Sequence, residues 1–449
     1  MRTTAFILSV IVSVAAGKAD DWPQWLGKDR DGEWKETGIL DKFPDGGPKV
    51  VWRAKTGQGY GGPAVADGKV FFGDRILTNK DGQQDASIRS GTQGVERMIC
   101  LDQKTGTLLW KHENLIEYKI SYGAGPRCTP TVDGDRVYLL GAMGDLNCFN
   151  VADGKVLWSK NFLKDYEAKL NIWGFAAHPL VDGDKLICLV GGSGERLVVA
   201  FDKKTGKELW TSQSLMADAG YSAPVIYDYD GRRTLVIWHS RAAVGLDPES
   251  GKRFWAYPWQ IKFALTAPMP IKVGADRLFL TAFYDGPAML KIGAESTPTE
   301  VWKPVTKGER PNQSVGLQSI MPTPYLKDDH IYGVCSYGEL RCIDAKTGER
   351  LWETRKPTVG TKTDEGKETR WGNAFLTPNG DRTFLFNERG ELIIAKLTPK
   401  GYEEIDRAKI VEPTNKMAGR PTVWCHPAYA GKCLFVKNDE EMVCVSLAK

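Results

Sequence analysis

The sequence predicts an all-β protein, an eight-bladed β-propeller built from four-stranded antiparallel blades. Three observations carry this prediction: a ten-residue phrase that recurs along the chain, tryptophans spaced 45 to 58 residues apart, and eight segments of alternating apolar residues that are mostly led by proline. A period of this length matches one four-stranded blade. Since one such unit cannot bury its apolar faces alone, the units are expected to stack around a common axis.

The recurrent phrase ends one strand and starts the next. Its Asp is expected to accept backbone hydrogen bonds across the turn, and its Gly to close the hairpin in the left-handed conformation. The Trp then lies on the fourth, outer strand, where an indole can pack between adjacent blades. The copies are LDQKTGTLLW (101–110), FNVADGKVLW (149–158), FDKKTGKELW (201–210), LDPESGKRFW (246–255) and IDAKTGERLW (343–352). The tryptophans assigned to this structural repeat are Trp52, Trp110, Trp158, Trp210, Trp255, Trp302 and Trp352.

The strands at the two ends of the chain complement each other. The first unit has a spare strand ending at Trp52, and the last unit stops after residues 442–446 without a fourth strand. An unpaired sheet edge is prone to aggregation. We therefore expect the N-terminal strand to pair with the C-terminal one and close the ring. The second-strand signals number eight and lie at Pro63, Pro130, Pro179, Pro224, Pro270 and Pro324, in residues 375–384 and at Pro427.

The chain divides into three predicted parts. Residues 1–19 have a basic start, an apolar run and small residues, which is typical of a secretory signal peptide. Residues 20–44 form a lead segment that we expect to pack along the side of the ring, and residues 45–449 form the propeller. The polar excursion 77–96 is expected to be an insertion between strands. The mature protein is therefore expected to be exported to the periplasm or the extracellular space, with no transmembrane segment.

Charge and cysteine content narrow the partner classes. The formal net charge is +4, and positive and negative residues are mixed throughout. The sequence has no basic stripe, so we expect no nucleic-acid partner. The nine cysteines include four at one repeat position, where other blades carry Ala200 and Gly245. A position that accepts Cys, Ala or Gly is a small-residue packing position. We expect free buried thiols there, with Cys335 and Cys342 the one pair across a hairpin. The four are Cys100, Cys148, Cys342 and Cys444.

The phrase Asp-x-x-Thr-Gly-x-x-x-Trp, repeated behind a signal peptide, resembles the pyrroloquinoline-quinone (PQQ)-like propeller repeat. The resemblance covers the mature chain, and the lead WPQWLG (22–27) is also similar to that of exported bacterial proteins in this superfamily. The repeat specifies a fold more than a function. It occurs in quinoprotein alcohol dehydrogenases and in a non-enzymatic lipoprotein of the outer-membrane β-barrel assembly machinery.

The resemblance implies a quinone site only in part. The dehydrogenases hold PQQ between a Trp and a disulfide of adjacent cysteines, beside a calcium ion bound by Glu, Asn and Asp and a catalytic Asp. Trp173 and Trp371 are candidates for the stacking Trp, but this sequence has no adjacent Cys pair, no matching calcium ligands and no Cys-x-x-Cys-His haem motif. We expect no cofactor and no metal site, with PQQ and Ca²⁺ required only if the protein is a dehydrogenase.

Polar and aromatic residues precede the innermost strand of most blades. These loops should converge on one mouth of the central channel, where aromatic, Arg and His side chains favour a ligand or partner site. The alternative is that the aromatics pack the loops and the histidines cap strand ends. The candidates are Tyr60, Tyr122, Arg127, Trp173, His178, Tyr221, Lys262, Gln318, Trp371, Asn373, Arg420, Trp424 and His426.

Two functions remain from the sequence. The first is a monomeric binding scaffold for a protein or glycan partner at the channel mouth. The second is a PQQ-dependent dehydrogenase of alcohols or sugars. No catalytic residue is assigned, because carboxylates occur in most turns and no nucleophile motif is present.

Overall fold

A computed structural model describes residues 20–78, 91–213, 218–293, 297–358, 370–417 and 420–449. The predicted signal peptide lies outside the described residues. Eight four-stranded antiparallel sheets are present, which confirms the predicted propeller. Among the residues that the structure describes, no helix has the length and apolar composition needed to cross a bilayer.

The first four blades follow the chain, each running from its innermost to its outermost strand. Blade 1 has β2 (Ala64–Ala66), β3 (Lys69–Leu77), β4 (Thr92–Asp102) and β5 (Leu108–Tyr118). Blade 2 has β6 (Thr131–Asp133), β7 (Arg136–Leu140), β8 (Asp145–Asn150) and β9 (Val156–Asn161). Blade 3 has β10 (Leu180–Asp182), β11 (Lys185–Leu189), β12 (Val198–Asp202) and β13 (Glu208–Ser212). Blade 4 has β14 (Val225–Tyr229), β15 (Arg232–His239), β16 (Ala242–Leu246) and β17 (Arg253–Pro258).

The remaining blades complete the ring. Blade 5 has β18 (Ile271–Val273), β19 (Arg277–Ala282), β20 (Gly286–Lys291) and β21 (Thr299–Trp302). Blade 6 has β22 (Tyr325–Lys327), β23 (His330–Val334), β24 (Leu340–Asp344) and β25 (Arg350–Thr354). Blade 7 has β26 (Ala374–Asn379), β27 (Arg382–Asn387), β28 (Glu391–Thr398) and β29 (Gly401–Lys409). Blade 8 has β32 (Ala428–Ala430), β33 (Cys433–Lys437) and β34 (Glu441–Ser446), with β1 (Val50–Lys55) outermost. Between blades lie a helix α1 (Phe162–Asp165), a 3-10 turn (Lys262–Ala264) and a hairpin of β30 (Asn415–Met417) and β31 (Arg420–Thr422).

Blade 8 closes the ring as the sequence predicts. Strand β1 pairs antiparallel with β34, with Val50 opposite Val445 and Trp52 opposite Cys444. Three strands therefore come from the C-terminus and one from the N-terminus. The pairing covers the edge that either chain end would otherwise expose.

The recurrent phrase builds both a hairpin and a contact between blades. Asp102 accepts hydrogen bonds from the Lys104 and Thr105 amides at 3.0 and 2.9 Å. Gly106 has φ +70°, and a Cβ at this position would lie 2.6 Å from the indole of Trp52 in blade 8. Glycine is therefore required for two reasons: the turn needs a positive φ, and any Cβ would clash with the indole face. The Trp52 indole N–H donates to the Gln103 carbonyl at 2.8 Å.

The same contact of a hairpin glycine with the outer tryptophan of the preceding blade recurs in blades 2, 3, 4 and 6 but, among the described residues, not in blades 5 and 7. Gly154, for example, packs on Trp110 of the preceding blade, with 2.4 Å from its ideal Cβ to the ring. Blade 5 lacks the Thr-Gly sequence, so Trp255 of blade 4 has no such glycine ahead of it. Its indole instead lies over Gly245 of its own blade, and its N–H has no hydrogen-bond acceptor among the described residues.

Two expectations for the connecting segments are corrected. The lead segment does not pack along the side of the ring but crosses its interior, where Trp22 pairs with Val65 of β2 through two 2.8 Å backbone hydrogen bonds. The free edges of the innermost strands offer backbone partners that the outer face lacks. The excursion 77–96 is shorter than expected, because β3 and β4 extend the hairpin until Leu77 lies opposite Gly94. Residues 79–90 lie outside the described part of the chain.

The cysteines are mostly buried packing residues, as predicted. Cys100, Cys148 and Cys444 are at most 1% exposed. Cys335 and Cys342 do not pair across the hairpin. Cys342 lies opposite Tyr332, while the Cys335 amide donates to the Glu339 carbonyl. Three residues separate the two positions along the hairpin, so their side chains point to opposite faces of the sheet.

Candidate functional site

A cavity of about 280 Å³ opens at one mouth of the channel. The loops that precede the innermost strands bring their side chains together there, and each of the eight blades contributes at least one. Most of the lining is aromatic or aliphatic, and Arg127 is the one Lys, Arg, Asp or Glu residue among the described lining residues. The lining comprises Trp25, Tyr60, Tyr122, Arg127, Trp173, Ala176, His178, Tyr221, Leu265, Ala267, Phe283, Tyr284, Ile320, Met321, Trp371, Phe375, Trp424 and His426.

The structure brings most of the predicted candidates into this cavity. Three lie behind the lining, and Lys262 lies in a neighbouring groove. Gln318 is fully buried and holds loops together, donating to the Phe283 carbonyl at 2.8 Å and accepting from the Val315 amide at 3.1 Å. The candidates that line the cavity are Tyr60, Tyr122, Arg127, Trp173, His178, Tyr221, Trp371, Trp424 and His426. Their role in binding stays a prediction.

Arg127 combines a structural role with a charge at the cavity wall. Its guanidinium donates to the carbonyls of Gly125, Ser121 and Tyr122, the second at 2.9 Å. It also lies 5.3 Å from the centre of the Tyr60 ring. Burial lowers the pKa of Arg127 and raises the pKa of Tyr60 to about 12. Tyr60 is therefore neutral at ordinary pH, and Arg127 is the one basic side chain in the described lining.

Two cavity aromatics are held in a strained backbone. Tyr122 has φ +57° and Trp371 has φ +58°, the left-handed region that bulky residues rarely adopt. Such conformations cost free energy, and they are concentrated at binding sites, where the surrounding structure imposes them. Both rings line the cavity.

A buried carboxylate fixes one side of the mouth. Glu388, 1% exposed, accepts hydrogen bonds from Arg420 Nε at 2.6 Å, from Trp424 Nε1 at 3.0 Å and from the Asn373 amide at 3.1 Å. The Asn373 side chain in turn donates to the Trp371 carbonyl at 2.8 Å. Burial raises the pKa of Glu388 against the opposing effect of Arg420. Asn373 and Arg420 thus position Trp371 and Trp424 without lining the cavity.

The lead segment supplies the floor of the cavity. Trp25 stacks on His178 with a centroid distance of 4.0 Å and an angle of 10°, and lies 4.5 Å from His426. Burial lowers the pKa of His426 to about 4 and that of His178 well below its usual value, to which Arg30 also contributes. Both imidazoles are therefore neutral, and the His178 Nδ1 accepts from the Thr129 amide at 2.9 Å.

Sequence reasoning missed the floor and one wall. The sequence predicts that Trp25 lies in a lead segment at the side of the ring, and nothing in WPQWLG (22–27) indicates that the segment enters the channel. Phe283 and Tyr284 come from the turn between β19 and β20, which carries no sequence signal of a binding site. Leu265 and Ile320 precede innermost strands like the predicted candidates, but an apolar loop residue carries no signal that separates it from core.

A second, polar groove adjoins the cavity at Tyr284 and has a volume of about 600 Å³. Its walls carry both signs of charge. Lys303 lies 4.1 Å from the Trp259 ring and donates to the Tyr257 hydroxyl at 2.9 Å. Burial lowers the pKa of Lys303 and raises that of Asp285 across the groove. The charged lining residues are Lys262, Asp285, Glu300, Lys303, Lys307 and Glu309.

The cavity does not fit a calcium–quinone centre of the dehydrogenase type. The described lining of the cavity contains no Asp, Glu or Asn side chain that could bind a calcium ion. The sequence has no adjacent cysteines to form the upper wall. Trp173 and Trp371 both line the cavity but belong to the entry loops of blades 3 and 7, on opposite sides of the eight-membered ring.

The family follows from the repeat and from comparison. Residues 94–354 match a PQQ-like repeat family model described as outer membrane protein assembly factor BamB. The match covers more than half of the chain, and the chain belongs to this family. It is 24% identical to the assembly factor BamB of Burkholderia pseudomallei over 52% of this chain and 57% of that protein. It is also 24% identical to the dehydrogenase subunit of the quinone alcohol dehydrogenase of Acetobacter aceti, over 43% of this chain and 28% of that protein.

Solved structures show the same fold. BamB from Moraxella catarrhalis aligns with 84% of this chain and 97% of its own, with a TM-score of 0.51 and 15% identity. The quinohemoprotein alcohol dehydrogenase of Comamonas testosteroni aligns with 96% of this chain and 81% of its own, with a TM-score of 0.59 and 12% identity. At these identities the likeness concerns the fold alone. The curated relatives above are matched over 28% and 57% of their lengths, so their activities do not transfer with the match.

Proposed function

We propose that this protein is an exported interaction scaffold whose mouth cavity binds a partner protein through a segment with a protruding apolar or aromatic side chain. The carrying observation is the cavity lined by aromatic and aliphatic side chains from all eight blades. Aromatic and Arg side chains around a concave site supply most of the binding energy in protein interfaces. The family model's description, an assembly factor, supports the same class of function.

A protein segment fits this cavity better than a glycan does. A sugar ring presents several hydroxyls, and each needs a partner once it is buried. The cavity offers few polar groups, and the Arg127 donors already serve three carbonyls. An apolar side chain needs no such partners, and a planar one gains further from stacking on tryptophan.

The binding test uses peptides selected from a random phage-displayed library on the immobilised protein, followed by calorimetric titration. Wild-type protein should bind the selected peptides, and Trp173→Ala should weaken them at least about tenfold, or 1.4 kcal/mol. Leu115→Ala is the matched control, because Leu115 is 73% exposed on β5 and is not part of the cavity lining. Equal binding to Trp173→Ala and wild type would overturn the site, and tighter binding of an oligosaccharide panel would overturn the choice of partner.

The second candidate function is a PQQ-dependent oxidoreductase. It is favoured by the quinoprotein relatives and by the two tryptophans in one cavity, and it is opposed by the missing cysteine wall and metal ligands. Titration with PQQ and Ca²⁺, followed by an alcohol and an artificial electron acceptor, should give no turnover. Submicromolar binding with turnover, lost in both Trp173→Ala and Trp371→Ala, would replace the scaffold by an enzyme.

Export and a monomeric state complete the proposal. Residues 1–19 have the composition of a cleaved signal peptide, and the closed ring uses its own chain end to cover the last sheet edge. N-terminal sequencing of protein recovered from the periplasm or medium should begin near residue 20. Light scattering should give the mass of one chain, and a concentration-independent dimer would contradict the monomer.

A further inference from the structure

Two cysteines lie on adjacent strands of the ring-closing blade, diagonally across from each other. In the pairing of β33 with β34, Cys433 is opposite Ser446 and Phe435 is opposite Cys444. Cys433 and Cys444 are therefore diagonal neighbours on adjacent strands. Residues two apart on a strand share a face, so both thiols stand on the same face of the blade.

This pair departs from the repeat. Cys444 occupies the same blade position as Cys100, Cys148 and Cys342. In those blades, the position equivalent to Cys433 carries a basic or titratable residue, namely Lys69, Arg136 and His330. A second thiol within reach of the packed cysteine is therefore specific to blade 8 among these four.

The two thiols differ in access and in chemistry. Cys444 is 1% exposed, whereas Cys433 is half-buried and reachable from solvent. A hydrogen bond from the Cys444 thiol lowers the pKa of Cys433, and the same interaction together with burial raises the pKa of Cys444. The more accessible sulfur is thus the better thiolate and the natural point of attack.

We propose that Cys433 and Cys444 form a redox-responsive disulfide, with Cys433 as the attacking thiol and Cys444 as the resolving one. The Cys433 thiolate attacks one sulfur of an external disulfide, forming a mixed disulfide and releasing one thiol. Cys444 then loses its proton and attacks the Cys433 sulfur, which forms the internal bond and releases the second thiol. Two protein thiols are oxidised and one external disulfide is reduced to two thiols.

The bond would strengthen the blade that closes the ring. It would join β33 to β34, the strand on which β1 pairs. Cross-linking two strands restricts the unfolded chain, so the oxidised protein should unfold at a higher temperature than the reduced one. An exported protein meets the oxidising conditions under which such bonds persist.

The experiment treats the purified full chain with oxidised glutathione, alkylates the remaining thiols and maps the cysteines by mass spectrometry. We expect one cross-link, between the peptides that carry Cys433 and Cys444, a mass loss of about 2 Da, and a raised Tm that a dithiol reverses. Seven of the nine cysteines should be alkylated. A Cys433 that stays reduced, a stable glutathione adduct on it, or a cross-link to another cysteine or chain would each overturn the proposal.

Three variants test the assigned roles. Cys444→Ala should stop the reaction at the Cys433–glutathione adduct, and it should fold because Ala200 occupies the equivalent position opposite Trp210. Cys433→Ser should take up no glutathione and form no cross-link. Cys100→Ala should behave as wild type, because no second thiol lies diagonal to Cys100. Absence of the adduct in a folded Cys444→Ala protein would contradict Cys433 as the attacking thiol.

Discussion

The outer tryptophans and the mouth tryptophans use the same side chain in opposite ways. Trp110 is 8% exposed, donates its indole N–H to the Val151 carbonyl at 2.9 Å and presses its face against Gly154 of the next blade. Trp173, Trp371 and Trp424 are half-buried and line an open cavity. We call the outer-strand tryptophans the belt: Trp52, Trp110, Trp158, Trp210, Trp255, Trp302 and Trp352. In Trp110 the indole is buried in contacts between blades, whereas at the mouth part of each indole stays exposed.

This difference indicates that one set of residues in the repeat protein stabilises the ring and a different set is available for binding. Belt residues recur with the period, because most interfaces between blades use the same contact. Mouth residues vary from blade to blade, so each loop can contribute a different side chain to one site. The two classes should therefore respond differently to substitution.

The largest expected effect is on the belt. Trp110→Ala removes a buried indole, its hydrogen bond and the surface on which Gly154 packs, so the free energy of unfolding should fall by about 4 kcal/mol. Urea denaturation followed by circular dichroism measures the change. Partner binding by the protein that remains folded should be unaltered, and a loss below about 1 kcal/mol would show that the belt does not hold the blades together.

The belt was predictable from the sequence because it is periodic. The Asp and Gly of the phrase, the outer Trp and the strand pairing of Trp52 all follow from counting residues, and the structure confirms the eight blades and their closure. Trp255 shows the limit. Its indole lies over Gly245 of its own blade and has no described hydrogen-bond acceptor, whereas Trp352, whose next blade also lacks the phrase, donates to the Thr398 carbonyl at 2.8 Å. The phrase alone does not separate these two outcomes, which depend on neighbours in space.

Residues that line the mouth cavity were predictable only where they lie in a loop that precedes an innermost strand. This rule places Tyr60, Trp173 and Trp371 correctly at the cavity. It could not separate lining from support, since Gln318 and Asn373 occupy similar loops but point into hydrogen-bond networks. It also could not find Trp25, whose place depends on the lead segment entering the ring.

The floor of the mouth should make the protein sensitive to acid, unlike the belt. His426 has its pKa lowered from 6.5 to about 4 by burial, so the unfolded chain binds its proton more tightly than the folded one. Stability from this residue is present above pH 6.5 and is lost as the pH falls toward 4, by about 3 kcal/mol for such a shift.

Unfolding in urea at pH 7 and pH 4 measures this contribution. His426→Gln cannot titrate, so the stability difference between the two pH values should narrow by about 3 kcal/mol. Trp110→Ala is the matched control and should keep the wild-type pH dependence, since it removes no titratable group. An unchanged pH dependence in His426→Gln would contradict a neutral buried imidazole beneath the cavity.

A pair of glycine substitutions measures the contact between blades directly. Gly154 and Gly134 have φ of +72° and +58°, but a Cβ at Gly154 would lie 2.4 Å from the Trp110 ring, whereas one at Gly134 would meet nothing within 4 Å. Gly134→Ala should cost about 1 kcal/mol for the backbone alone, and Gly154→Ala about 2 kcal/mol more for the clash. Thermal and urea unfolding of both variants test this, and equal losses would mean that the tryptophan moves aside without cost.

The smallest effect on stability is expected at the mouth. Trp371 has φ +58°, a conformation that costs a tryptophan about 1–2 kcal/mol and a glycine almost nothing. Trp371→Gly removes this strain along with the partial packing of the ring, so the two changes should offset each other to within about 1 kcal/mol. Binding of the selected peptides should nevertheless weaken at least about tenfold, because one wall of the cavity is gone. A Trp371→Gly protein that loses more than about 3 kcal/mol of stability would place this residue with the belt, and one that binds normally would remove it from the site.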